Sequence, residues 1–590
     1  MSDFKQTSFS GGLNLLLDDT RLPVSFKYKE GDTPYDISYN QYRIGLNMRS
    51  RFDVCTPVQS SIADLNAPAG VKQAIVTFGN YIIVFIAGSA YYRLNTQSGW
   101  NLIPNFSMSK TAVRYWTVAI PLSVTNYGRV ATAPTGSTVG ANANLPILQV
   151  NQLNLIAGEF ANVPGLLVQD GINQPCFLYI DQNGVVTSRT TQTYAQWSFP
   201  LDHTTLQLTG PDNREYVPIG TYMEWFNGIL FIVDANYNYI YRSVSGRPLD
   251  FVVNVDQFGN KGGDATTTSY SVGVSGITAM RLMSANSLFI AAGGSACFLI
   301  TLNQTPNAPT IFGEYTFNRT LIFNASCVTE RGIIDILGDT VFIDTNGLRS
   351  FNAVEQQQNE GRNSIFSSTI QSLFTNVQQQ ANLCAAINFD NYAIFSVNTT
   401  LGYVLVVYDT INNCYSSLDT TQIGNHAVKQ FATITISYLQ LYCITDDDRV
   451  VQLYGSSTAT DSPTIRLGAI STQEPKKEIQ IVNVRAIMTN ITQNLTVTCS
   501  LFVNNRYDSA YTTKINYKAA IPAYSGTSVG TDVGTQTNNI LFSFPNAGQG
   551  WKAFIVLSWT GGASLASVGI MTTDVTPMQP LLTQAVINNT

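Results

Sequence analysis

Tyr81-Ile82-Ile83-Val84-Phe85-Ile86 runs into Ala87-Gly88-Ser89 and returns as Ala90-Tyr91-Tyr92. An apolar and β-branched run, a small glycine-containing turn and a second run ending in aromatics form the pattern of a β-hairpin. The unit recurs along the chain. Gly228 to Val233 turns at Asp234-Ala235-Asn236 into Tyr237 and Tyr239 to Tyr241, and Ser287 to Ala291 turns at Gly293-Gly294 into Ala296 to Ile300. Thr340 to Ile343 turns at Asp344 to Gly347 into Leu348 to Phe351, and Tyr392 to Val397 turns at Asn398 to Gly402 into Tyr403 to Tyr408. Leu439 to Ile444 turns at Asp446 to Arg449 into Val450 to Tyr454, and a weaker copy joins Leu153–Ile156 to Cys176–Ile180.

The later copies are spaced about 50 residues apart, a period that points to solenoids or propellers. Hairpins between about Ala69 and Gly455 fit a six- or seven-bladed β-propeller, whose blades are four-stranded sheets. Polar stretches near 125–145 and 181–218 break the period and are expected to be loop insertions. One helix is expected where Ile370, Leu373, Phe374 and Val377 fall at i, i+3, i+4 and i+7, with Ser367 or Ser368 as N-cap. Residues 456–477 cluster Ser, Thr, Pro and charge and read as a linker. Beyond it, longer strand patterns at Ile479–Met488, Leu495–Val503, Ile540–Phe544, Ala553–Trp559 and Ser567–Val575 have the span of an immunoglobulin-like β-sandwich. The expected organisation is therefore all-β: an extended N-terminal segment (1–60), a propeller (61–455), a linker, a sandwich (478–576) and a C-terminal arm (577–590).

Composition limits the function. Of the 590 residues, only 12% are charged and 44% are hydrophobic. A typical soluble chain carries about 25% charged residues. The deficit describes either an uncharged polar surface or, the preferred reading, a surface covered by partner subunits, since charge is depleted in interface cores. The net charge of −6 comes with no cluster of Lys and Arg to release phosphate counterions, so a surface that grips DNA is not expected. A surface that lets DNA pass is compatible with it. The eight cysteines (55, 176, 297, 327, 384, 414, 443 and 499) show no zinc spacing and read as buried thiols, in keeping with a reducing cytoplasm. Met1-Ser2-Asp3-Phe4-Lys5 does not open a signal peptide, and the longest apolar run, Tyr81 to Tyr92, is shorter than the roughly 20 residues of a membrane helix.

Catalytic chemistry finds little to work with. His203 and His426 are the two histidines, so any His-based triad or zinc site depends on them. Gly526-Thr527-Ser528-Val529-Gly530 has nucleophile-elbow spacing, yet it lies in a Gly/Thr/Ser loop with both histidines upstream. Asp446-Asp447-Asp448 offers hard-cation ligands but lacks the glycine and the closing glutamate of a calcium loop, and reads as an acidic turn. Gly262-Gly263-Asp264 lacks the Lys-Ser/Thr of a phosphate loop. Glu224, Asp250 and Asp256 are conceivable members of a glycosidase carboxylate pair. Neither sialidase Asp-box turns nor WD or kelch blade signatures occur. No catalytic, cofactor-binding or metal residue is assigned, and no cofactor is expected.

The most specific sequence lies at the N-terminus. Phe9-Ser10-Gly11-Gly12-Leu13-Asn14 is followed by Asp18-Asp19-Thr20-Arg21-Leu22-Pro23 and by Tyr42 to Phe52, which includes Asn47-Met48-Arg49. It resembles the opening of bacteriophage virion proteins with a propeller body. Ile240-Tyr241-Arg242-Ser243 with Gly246 to Phe251, and Asp344 to Phe351, are similar to recurrent blade phrases of those proteins. The resemblance covers about 8–455 by pattern, and the nearest relatives in function are tail nozzle or tail hub proteins of short-tailed phages, of the tail tubular protein B or packaged-DNA stabilisation type. It implies a non-enzymatic structural protein of the virion tail, made in the host bacterial cytoplasm. It also implies a homo-oligomeric ring of six copies that contacts portal or adaptor and other tail proteins. Packaged double-stranded DNA would pass its lumen without sequence-specific binding, and the ring would help retain it. The alternatives are a receptor- or glycan-binding tail adhesin and, third, a propeller glycosidase.

Overall fold

A computed structural model describes residues 2–6, 8–15, 41–94, 99–122, 163–180, 183–190, 201–202, 207–208, 217–226, 228–243, 269–270, 276–284, 287–293, 296–305, 314–323, 326–351, 366–435, 438–456, 460–471, 478–491, 494–503, 511–517, 536–545, 547, 549–550 and 552–575. Tyr81–Ile86 is a strand paired antiparallel with Ser89–Leu94, with Ile86 opposite Ser89. Its continuous apolar run has a simple cause: both of its faces are buried. Ile83 and Phe85 pack with Leu166, Val168 and Leu178 of the next sheet. Ile82, Val84 and Ile86 pack with Ile434, Tyr442 and Ile444 of the sheet on the other side. Alternate side chains of a strand point to opposite faces, so burial between two sheets demands apolar residues at both parities.

This arrangement repeats around a circle. Among the described residues, small antiparallel meanders follow one another in chain order. The first is built on Lys72–Phe78, Tyr81–Ile86, Ser89–Leu94 and Asn101–Leu102, and the second on Trp116–Leu122, Val163–Gln169, Cys176–Ile180 and Val186–Thr190. The third holds Gly220–Phe226, Ile229–Asp234, Ile240–Arg242 and Ser269–Tyr270, and the fourth Ile277–Ser284, Ser287–Ala292, Ala296–Thr305 and Glu314–Phe323. The fifth has three strands, Ile333–Ile336, Asp339–Asp344 and Gly347–Ser350. The sixth contains Ala385–Phe389, Tyr392–Thr399, Gly402–Asp409 and Cys414–Asp419. The seventh combines Val428–Thr435, Leu439–Thr445 and Val450–Leu453 with Ile62–Ala63 from the N-terminal side, which pairs Val451 with Ala63. First strands pack on neighbouring first strands, or on the turn Glu330–Gly332, and the seventh packs back on the first. Apolar clusters fill the spaces between neighbouring sheets. This is the organisation of a β-propeller.

Three expectations change. Segment 368–374 is a kinked 3-10 helix, with Ile370 at φ −125°, instead of an α-helix. Ser367 does not cap it. Its hydroxyl accepts from the Leu348 amide (3.1 Å) and its own amide donates to the Leu348 carbonyl (3.2 Å). Ser367 thus lies against the open edge of the three-stranded fifth sheet, and that tether overrides the helical spacing. The strand Cys176–Ile180 pairs with Val163–Gln169 and Val186–Thr190, so neither neighbour is Leu153–Ile156, which lies outside the described residues. Val186–Thr190 also places an outer strand inside the expected 181–218 loop. Its alternation of buried Val186 and Ser188 with more polar positions hid it. The 125–145 loop and the arm at 577–590 lie outside the described residues.

The C-terminal region forms two sheets whose inner faces share one apolar cluster, with Trp559, Leu557, Val484 and Ile570 at its centre. One sheet orders Ser2–Gln6, Ser564–Val575, Glu478–Ile491 and Gln536–Ser543. The other orders Thr464–Arg466, Lys552–Thr560, Leu495–Val503 and Tyr511–Tyr517. The edge strands are exchanged relative to an immunoglobulin domain, where the first strand lies beside the second and the last beside the sixth. Here Thr464–Arg466 lies beside Lys552–Thr560, and Ser564–Val575 beside Glu478–Ile491. The N-terminal strand Ser2–Gln6 extends the second pair.

Residues 41–57 join the two halves. Ile44–Leu46 runs parallel to Cys414–Asp419 and antiparallel to Thr464–Arg466, which fuses the sixth sheet and one C-terminal sheet into a single ten-stranded sheet. The stretch 456–477 expected as a linker thus supplies strands, Thr464–Arg466 and Ile470–Ser471. Glycine is required where the N-terminal segment crosses the sixth sheet. Gly12 has φ +70°, and a Cβ there would meet Cys414 Sγ at 2.7 Å. At Gly45 a Cβ would meet Met48 Cε at 2.5 Å and Tyr42 Cε2 at 2.6 Å.

Arg49 clamps this crossing. Its guanidinium donates to both oxygens of buried Asp419, at 3.1 and 2.8 Å, between the rings of Tyr392 and Tyr454. Asp419 also accepts from Ser417 Oγ (2.7 Å) and the Tyr454 hydroxyl (2.7 Å). Asn47 Oδ1 accepts from the Thr420 amide at 2.9 Å. Among the described residues no helix is long and apolar enough to cross a membrane. None of the eight cysteines forms a disulfide; seven are buried and Cys414 is partly so. Asp419→Ala leaves the largely covered Arg49 guanidinium without its carboxylate, and is expected to cost about 3 kcal/mol in denaturant unfolding. Hydrogen exchange should rise first at residues 414–419 and 464–466; unchanged exchange there would contradict the clamp.

Candidate functional site

The first strands of the second to seventh sheets line an axial cavity of about 470 Å³. Its floor is built by the turn Glu330–Gly332, which breaks the chain just before Ile333–Ile336 and is capped by Thr329. From this turn Arg331 reaches across the axis. It donates to the carbonyls of Lys429 (3.0 Å), Tyr115 (2.8 Å) and Gln73 (3.4 Å), which belong to or flank the first strands of the seventh, second and first sheets. Burial, and then the nearby Arg114, bring its pKa down to about 10, so it stays cationic at neutral pH. One planar donor fork thus satisfies carbonyls from three sheets and closes the axis.

Arg114 lies beside this plug. It donates to Thr329 Oγ1 and the Tyr222 hydroxyl, both at 2.9 Å, and sits 3.2 Å from Glu330. Its guanidinium packs over Trp116 and Tyr222. Glu330 is thereby held between two arginines, since Arg331 lies 3.9 Å away. Glu224, on the first strand of the third sheet, is different. Its side chain is only 17% exposed, and the nearest cation is half-exposed Arg281 at 3.8 Å. Burial drives the carboxyl up to about 7, with Arg281 opposing the rise.

Of the described residues singled out in the sequence, Glu224 alone lines this cavity. Asp250, Asp256, His203, Gly262-Gly263-Asp264 and Gly526 to Gly530 lie outside the described residues. His426 sits at the seventh sheet, where Nδ1 meets Asp446 Oδ1 at 2.9 Å and Nε2 meets Asp447 Oδ2 at 3.3 Å. These groups have the mutual spacing of cation ligands. The two ring nitrogens serve different carboxylates, however, and Arg449 pairs with Asp447. The aspartate run splits at Asp448, whose φ of 62° turns its carboxylate to the Lys72 amide (3.0 Å) and Lys429 Nζ (2.8 Å). Arg331, Arg114, Arg281, Glu330 and Trp116 were not legible as site residues. They come from three separate stretches of the chain, Arg114 to Trp116, Arg281 and Glu330-Arg331, and no motif in any one of them marks a site.

The fold and cavity define a propeller-type all-β protein with a cavity at the meeting of its first strands. No family model and no curated protein matches the chain. Among solved structures, it is similar to the β-propeller domain of Cps50 (Swd1) from Myceliophteria thermophila, at 7% identity, covering 67% of this chain and 100% of that one with a TM-score of 0.27. It is also similar to Hsv2 of Kluyvelomyces marxianus, at 7% identity over 54% of this chain and 89% of that one (TM-score 0.25), and to the Dos1 propeller, at 12% identity over 47% and 63% (TM-score 0.25). At such identities and scores these likenesses assign no function.

Glu224 gives a pH signature. Its folded pKa of about 7 lies above its ordinary value of 4.5, so its stabilising contribution is complete below about pH 4.5 and is lost as pH rises through 7. Glu224→Gln should therefore gain stability over the wild type as pH rises from 5 to 8, by at most about 3 kcal/mol. Denaturant titrations at the two pH values measure the gap, and a gap independent of pH would count against the assignment.

Proposed function

We propose that the chain is a structural virion protein of a bacteriophage tail, assembling with copies of itself into a ring that forms part of the nozzle or hub of the DNA-ejection conduit and helps retain packaged DNA. In this reading the seven sheets are the blades of one propeller, and the C-terminal sheets form an immunoglobulin-like sandwich with exchanged edges. The carrying observation is where the phage-like phrases fall. Gly12, Leu13, Tyr42, Asn47 and Arg49 are the residues that bolt the N-terminal segment across the sixth sheet and into the C-terminal sheets. A part that must transmit force without coming apart benefits from such a fused sheet. Because Arg331 closes the axis of each propeller, DNA would pass through a lumen between copies and not through a single molecule.

Surface chemistry supports assembly. Phe52 is 82% exposed and Leu337 is 74% exposed, although both have left-handed backbones, at φ 59° and 51°. Bulky residues seldom adopt that conformation, so apolar side chains held outward by it need a reason. Leu337 and Tyr438 lie in the turns between first and second strands of the fifth and seventh sheets, and Phe52 lies against the same turn of the sixth, at Phe389–Asp390. In a ring of sheets these turns share one end of the molecule. Heterologous contacts that close a ring require such a patch to meet a different surface of the next copy. The virion tail is the corresponding location, with portal or adaptor and other tail proteins as neighbours.

Electron microscopy and mass photometry of the purified chain and of virions test the proposal. A closed oligomer incorporated in tails is expected, and Phe52→Asp with Leu337→Asp should shift it to monomers of unchanged circular dichroism. A monomer at all concentrations, missing from virions, would sink the reading.

A further inference from the structure

The axial cavity contains a charge that the protein's own groups leave poorly matched. Glu330 has Arg114 and Arg331, and Asp335 accepts from Thr340 Oγ1 at 2.9 Å. Glu224 has only Arg281, 3.8 Å away and beyond direct hydrogen-bond reach, together with a backbone hydrogen bond from Leu282. The walls around it include Trp116, Tyr222 and Phe431. Trp116 is 8% exposed, and its indole N–H has no hydrogen-bond partner among the described residues.

The geometry points to a binding site for an organic cation, a primary ammonium or guanidinium group, held by the Glu224 carboxylate against the aromatic wall of the axial cavity. A buried carboxylate without a close partner is costly, and a cation that replaces its lost water relieves that cost. Aromatic faces are negative and attract cations, as Trp116 and Tyr222 of this wall already do with the guanidinium of Arg114. A cavity of about 470 Å³ falls in the range of small-ligand sites. Arg281 is 50% exposed, so it can swing into solvent and yield its place to a ligand. The cation has two sources with one chemistry, a free diamine-type metabolite or an Arg or Lys side chain of a protein partner. This inference stands independently of the tail assignment.

Isothermal titration calorimetry of the full chain with agmatine, and separately with a blocked Gly-Arg-Gly tripeptide, tests it at pH 8. Saturable binding of one equivalent is expected for at least one of them. Agmatine binding supports a free cation, and binding of the tripeptide alone supports a partner side chain. Glu224→Gln should weaken that binding at least tenfold, whereas Arg281→Gln, which removes the resident competitor, should tighten it severalfold. Opposite signs distinguish a ligand site from a packing role, because a merely disturbed cavity would weaken binding in both variants. Circular dichroism confirms that each variant is folded. No saturable binding of either compound to the wild type, or affinity unchanged or shifted in the same direction in both variants, overturns the proposal.

Discussion

The bidentate pair between Arg49 and Asp419 is the interaction on which the architecture turns. Asp419 ends the last strand of the sixth sheet, and Arg49 lies on the N-terminal segment just after the strand that extends that sheet. The fork fixes distance and orientation together, which a point charge would not. With Arg49 in place, Ile44–Leu46 is held parallel to Cys414–Asp419, Thr464–Arg466 can add to it, and the C-terminal sheets become continuous with the ring of small sheets. Arg51 repeats the device one step further along, against Asp409 and over Tyr392.

The same economy of charge runs through the interior. Arg93 pairs with Asp64, Arg114 with Glu330 and Arg349 with Asp344, each mostly buried. Such pairs add little net stability over apolar substitutes, but an unpaired member is severely penalised, so they select one register of sheet against sheet. With so few charged residues in the chain and several of them committed inside, the surface is left to Asn, Gln, Ser and Thr. Internal pairing leaves the surface still poorer in charge than the 12% of the whole chain.

The ring closes by a strand exchange along the chain. Ile62–Ala63 supplies the last strand of the seventh sheet, and the 3-10 segment 368–374, tethered through Ser367, lies against the open edge of the fifth. Both cover backbone edges that would otherwise be free to pair elsewhere. The apolar clusters between sheets then form a circle with no terminal sheet, and the outer edge of the sixth is taken up by the N-terminal segment. At the axis, Arg331 gives the meeting first strands a common hydrogen-bonding partner.

The sequence by itself determined the hairpins. Strands such as Tyr81–Ile86 and Tyr392–Thr399 are apolar along their length because they lie between two sheets, and their turns carry Gly, Asn and Asp where the backbone needs a left-handed residue. Local pattern and tertiary need agree there, so the reading succeeded. It failed where a distant partner decided the outcome: Ser367 serves Leu348 instead of a helix end, Val186–Thr190 pairs despite its polarity, and residues 464–466 become a strand because Ile44–Leu46 offers an edge. The axial site belongs wholly to the tertiary structure. Glu224 and Arg281 lie in two different sheets and Glu330-Arg331 in a turn before a third, and only ring closure brings them to one cavity, because electrostatic complementarity depends on distances in space that sequence spacing does not encode.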